Sequence, residues 1–151
     1  MVAEQNIFST GLFWAVFISF ALAETIKFVT KSIKEGKISI HNIFGLGGMP
    51  SSHSASVTSV VTYIFLLQGF STLFAVAFVF AVITINDAMG VRLVTGIQNR
   101  ILKRIVPEKN RSKRTSRKLD SLVGHTPVEV FVGLAIGMLV SLVVYYFFFI
   151  F

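Results

Sequence analysis

Two of the three histidines in this sequence stand where an imidazole can do chemistry. His53 lies in the string Gly47-Gly48-Met49-Pro50-Ser51-Ser52-His53-Ser54-Ala55, and His125 lies in Gly124-His125-Thr126-Pro127-Val128-Glu129-Val130. In the first string a glycine-rich loop runs into serines that open a hydrophobic segment, and two readings are open. Ser51 or Ser52 is an N-cap that accepts from the free N–H groups of a first helical turn. Alternatively, those N–H groups, the helix dipole and the Ser hydroxyls make an anion site for phosphate, with His53 as proton donor. In the second string Thr126, Pro127 and Glu129 have the spacing of a capping box. Glu129 also follows His125 by four residues, so its carboxylate can hold one imidazole nitrogen and leave the other free to attack. A cap and a His–acid pair are compatible here, because the cap fixes the geometry of the pair.

A third string, Asn86-Asp87-Ala88-Met89-Gly90-Val91-Arg92, offers two readings as well. Asp87 and Arg92 pair at a membrane interface, or Arg92 clamps phosphate through two parallel hydrogen bonds. Lys27 can snorkel toward the interface, pair with Glu24 three residues earlier, or bind phosphate. His41 fits none of these schemes and is read as an ordinary loop residue.

The elements that must position these groups are hydrophobic helices. Hydrophobic residues make up 54% of the 151 positions and charged residues 14%, whereas soluble domains carry about a quarter charged. Runs long enough to cross a bilayer, about 20 residues each, predict four spans at about 7–28, 52–67, 71–89 and 127–151. The second is short and rich in Ser and Thr, so it is expected to be shielded by the others. The fold class expected is an all-α membrane protein, a compact bundle of about four transmembrane helices. It forms one domain over 1–151, with a basic connection at 90–125. The first run has only Glu4 before it and a Lys-rich stop after it, which reads as a retained span rather than a signal peptide. The absence of Cys excludes disulfides, thiolate nucleophiles and cysteine metal sites.

The net charge of +7 invites a nucleic-acid reading, but its placement argues against one. Four Lys lie between Lys27 and Lys37, ten Lys and Arg lie between Arg92 and Lys118, and together they are all 14 basic residues. Both stretches are connections on one face of the bilayer, the cytoplasmic face by the positive-inside rule. The same topology gathers Lys27, His53, Arg92 and His125 at one end of the bundle. A Lys, an Arg, two His and a Ser-rich helix start are the inventory for phosphoryl transfer through a phosphohistidine.

These residues resemble the type 2 phosphatidic acid phosphatase superfamily, which shares its site with vanadium haloperoxidases. The closer resemblance is to that superfamily's small divergent bacterial and plastid branch, and it spans essentially the whole chain. Pro50-Ser51-Ser52-His53 stands where the family has Pro-Ser-Gly-His. His125, Pro127, Glu129, Val130 and Gly133 follow its His-x-Pro-x-Asp-Val-x-x-Gly pattern, with Glu for Asp. Leu119 stands where the family has an arginine six residues before the nucleophile. The first motif, Lys-x6-Arg-Pro, is not present, although Lys27 and Lys34 have its spacing. The resemblance implies the catalytic core of that fold, without the first two of the family's six helices. It assigns His125 as nucleophile, Glu129 as its orienter and His53 as general acid. Ser51 and Ser52 would bind phosphate oxygens, and Arg92 would stand in for the third motif's arginine.

The expected function is hydrolysis of a membrane lipid phosphate or pyrophosphate, such as phosphatidate, phosphatidylglycerophosphate or a polyprenyl (pyro)phosphate. Lys27 and Arg92 would stabilise the equatorial oxygens, with Asp87 beside them. The scheme uses no cofactor and no metal. The expected partners are membrane lipids and the lipid phosphate substrate, not nucleic acid, and the chain is compatible with a homo-oligomer. The expected location is a bacterial plasma membrane, with the site facing the cytoplasm. One rival is a non-catalytic protein that binds or moves phospholipid headgroups. Another is a metal-assisted enzyme using Asp87 and Glu129, a thin ligand set for Mg²⁺.

Overall fold

A computed structural model describes residues 10–36, 48–90 and 127–150, with isolated positions between 94 and 105. Among the described residues there are four long helices: α1 (Gly11–Glu35), α2 (Ser52–Gln68), α3 (Thr72–Met89) and α4 (Pro127–Ile150). Three of them, α1, α3 and α4, are long and apolar enough to cross a bilayer. The 17 residues of α2 rise about 26 Å, slightly less than the hydrocarbon thickness. Its polarity is tolerated because α2 packs against all three other helices.

Local signals set the helix boundaries. Ser51 caps α2, its hydroxyl accepting from the Ser54 N–H, and Ser71 caps α3 by accepting from the Phe74 N–H at 3.1 Å. Between α2 and α3, Gly69 takes a φ of 62°, a left-handed conformation that a side chain disfavours. Gly36, also left-handed, closes α1. The hydrophobic run alone predicts that α1 stops near Phe28. The helix instead continues through Glu35, because charged residues end a hydrophobic run without ending helical backbone.

Pairs of contacts fix the helix directions. Lys27 of α1 meets Ser52 at the start of α2, whereas a side chain at Gly11 would run into the Tyr63 hydroxyl near the other end. Helix α1 is therefore antiparallel to α2. Glu129 meets Ser51, Ser141 meets Ser59, and the Tyr145 ring lies 5.9 Å from that of Tyr63, so α4 runs parallel to α2. Close approach of α2 and α4 depends on Gly133 and Gly137. A Cβ on Gly133 would collide with the Ser51 carbonyl oxygen, and one on Gly137 with that of Ala55. This small-residue packing is how helices associate where lipid removes the hydrophobic drive. The Ser141 hydroxyl adds an interhelical bond of 2.9 Å to the Ser59 carbonyl, worth about 0.6 kcal/mol on average in such settings. Ala15, Tyr63 and Val144 form the apolar core toward the far end. Phe78, Phe80, Phe131 and Phe147 cover the outside, as a lipid-facing surface requires.

Candidate functional site

The starts of α2 and α4 are joined directly. The Ser51 backbone N–H donates to the Glu129 carbonyl oxygen at 2.9 Å. That bond satisfies one of the donors a helix start leaves open and places the first turn of α4 beside the serines. Ser51 is fully buried, and its hydroxyl accepts from the Ser54 hydroxyl at 3.0 Å as well as from the Ser54 N–H at 3.4 Å. Of the two readings for this residue, capping is what its hydroxyl does here. Ser52 is also buried, and its hydroxyl points at α1.

Lys27 comes from the other side. It is 5% exposed, eight residues before the end of α1 rather than at it, so it does not snorkel. Its ammonium donates to Glu24 at 2.5 Å and to the Ser52 hydroxyl at 3.3 Å. The Glu24 carboxylate also lies within electrostatic reach of Ser52 and His53. Gly48, at a φ of 118°, packs on the Lys27 stem, where a Cβ would come within 3.2 Å of Cγ. The Thr30 hydroxyl reaches the Met49 carbonyl at 3.2 Å. The chain entering α2 is thereby laid across α1 at the level of the lysine.

His53 is exposed on the first turn of α2, and Glu129 is half-buried on the first turn of α4. Asp87 is exposed on the last turn of α3. Lys27 thus meets Ser52, and Ser51 meets the Glu129 backbone, while His53 adjoins the serines in sequence. Arg92, His125, Thr126, Leu119 and His41 lie outside the described residues. Among the described residues no three His, Asp or Glu are gathered to hold a metal ion.

The sequence offers Glu24 as one possible partner of Lys27, the pair that the structure shows, but not as a member of the site. A carboxylate one turn before a lysine, inside a hydrophobic run, was the signal that both are drawn inward. Gly137 was also passed over, although Gly133-x-x-x-Gly137 in an apolar segment marks a close helix contact.

Four helices with an apolar exterior and a polar, charged interior at one end define an all-α integral membrane protein. The chain belongs to the Divergent PAP2 family, whose profile matches residues 8–140. It is similar to the uncharacterized membrane protein YuiD of Bacillus subtilis, with 41% identity over 139 residues, 83% of this chain and 88% of that protein. No solved structure gives a significant match.

Proposed function

We propose that this membrane protein is a phosphohydrolase of lipid phosphates or pyrophosphates, working through a phosphohistidine at the shared start of α2 and α4. The observation that carries the reading is the Ser51–Glu129 bond. It sets the helix start that bears Ser52 and His53 against the helix whose sequence is preceded by His125. In the proposed reaction His125 attacks phosphorus in line, and the P–O bond to the lipid breaks. His53 protonates the departing alkoxide, Glu129 holds the His125 ring, and water then hydrolyses the P–N bond to release phosphate. The dipole of the α2 start, the Ser52 hydroxyl, Lys27 and Arg92 stabilise the equatorial oxygens. In this reading Asp87, on the last turn of α3, orients Arg92 five residues later in the sequence. The site is proposed to face the cytoplasm at the bacterial plasma membrane, with lipids as partners.

A second reading has one observation in its favour. Lys27 is already paired with Glu24, which suits a protein that holds phospholipid headgroups without cleaving them. Release of phosphate from phosphatidate by the purified protein in EDTA separates the two, with His125→Ala as control. Turnover by the wild type that is lost in the variant supports hydrolysis, whereas lipid binding without release of phosphate supports the second reading.

A further inference from the structure

Among the described residues, one anion already occupies the company that a substrate phosphate needs. The Glu24 carboxylate accepts from the Lys27 ammonium, which also donates to the Ser52 hydroxyl, and it lies within electrostatic reach of Ser52 and His53. Lys27 and Ser52 are buried, and Glu24 is about a quarter exposed. Glu24 is therefore the member of the cluster with room to move while the other two stay in place. We infer that Glu24 is an internal stand-in for the substrate phosphate, holding Lys27 and Ser52 while the site is empty and giving them up when an anion enters. This rests on the reading of the α2 start as a phosphate site, and it adds a residue that the family motifs do not include.

The physical consequence is a threshold. A ligand entering beside Lys27 must replace the Glu24–Lys27 interaction as well as shed its own water. A phosphomonoester carries between one and two negative charges near neutral pH and gains more from Lys27 than a carboxylate does. A phosphodiester carries one, so it exchanges like for like and gains little. Bulk phospholipids are diesters. Glu24 would thus keep the site from filling with the headgroups that surround it, while a terminal phosphate enters. Lys27 has three N–H donors, so it keeps its bond to Ser52 throughout the exchange.

The test is anion binding to the purified full chain in a zwitterionic detergent, carried out in a His125→Ala background so that nothing turns over. The probes are inorganic phosphate, dimethyl phosphate as a diester, and a short-chain phosphatidate. Replacing Glu24 by Gln should tighten inorganic phosphate on the order of tenfold, since one nearby negative charge is removed at partly buried distance. It should also bring dimethyl phosphate from undetectable to measurable binding. Adding Lys27→Gln to Glu24→Gln should cancel the gain. Glu24→Asp keeps the pair with Lys27 but draws the carboxylate back from Ser52 and His53. It should give a smaller gain, and it decides alone if the Gln variant does not fold. Phosphatidate binding tighter than phosphate assigns the site to a lipid headgroup, and equal binding assigns it to free phosphate. Unchanged or weaker phosphate binding in folded Glu24→Gln overturns the role of Glu24 while leaving the phosphate site standing. No anion bound by any variant overturns both.

Discussion

Ser51 and Glu129, 78 positions apart in the chain, are joined by a backbone hydrogen bond of 2.9 Å. The bond exists because Gly133, one helical turn after Glu129, lets the Ser51 carbonyl come against the α4 backbone. Two helix starts are thereby held in register, which a loop contact alone would not do. Everything proposed for the site depends on that register.

Gly133→Ala and Gly137→Ala should therefore each destabilise the protein by about 1–3 kcal/mol, the usual cost of forcing atoms into a packed contact. A Cβ at Gly137 would also lie 3.0 Å from the Ser59 nitrogen, so the helix as a whole must move. Thermal unfolding in detergent measures the loss. Wild-type stability in both variants would contradict the observed packing.

Adjacent serines should separate into a structural and a binding role. Ser51→Ala removes the cap and should cost about 1 kcal/mol of stability. Ser52→Ala removes the Lys27 partner at 3.3 Å and should weaken orthovanadate binding about tenfold, with little change in unfolding temperature. The expectation fails if Ser52→Ala unfolds the protein as readily as Ser51→Ala does.

Much of this was legible in the sequence, and the misses have physical causes. Hydrophobic runs located all four helices, because length and apolarity are what a bilayer selects. The Ser51 cap was readable from a serine after a glycine loop, with one alternative, Ser52, left open. Three readings of Lys27 stood open, and the structure shows the pair with Glu24; hydropathy alone cannot tell an interfacial lysine from one drawn inward by a carboxylate. The parallel contact of α2 with α4 was implied by topology. Its closeness was written in Gly133 and Gly137, a pattern about helix pairs rather than about one helix.

Helix directions predict the topology of labelling. Cysteines replacing Lys31 and Phe70 should react with impermeant reagents from opposite sides, because α2 lies between them. Cysteine at Lys113 should react from the same side as Lys31, since Lys27, Lys31 and Lys34 lie in the C-terminal part of α1, Lys37 follows it, and the other ten basic residues lie between α3 and α4 in the sequence. Reaction of Lys31 and Lys113 variants from opposite sides would overturn the arrangement.

His53 is exposed at the α2 start, as a proton donor to a departing group must be. His53→Ala should slow hydrolysis of a lipid phosphate by about 10²–10⁴-fold, the usual contribution of general acid catalysis. An aryl phosphate, whose leaving group needs no proton, should be slowed far less. Equal losses on both substrates would remove His53 from that role.

The most direct test of the central claim is phosphate release from phosphatidate and from an aryl phosphate in EDTA, comparing wild type with His125→Ala. A covalent intermediate on His125 predicts wild-type turnover of both substrates and turnover at background for both in the variant, because the group that takes the phosphoryl is gone. Wild-type rates in folded His125→Ala would contradict the account.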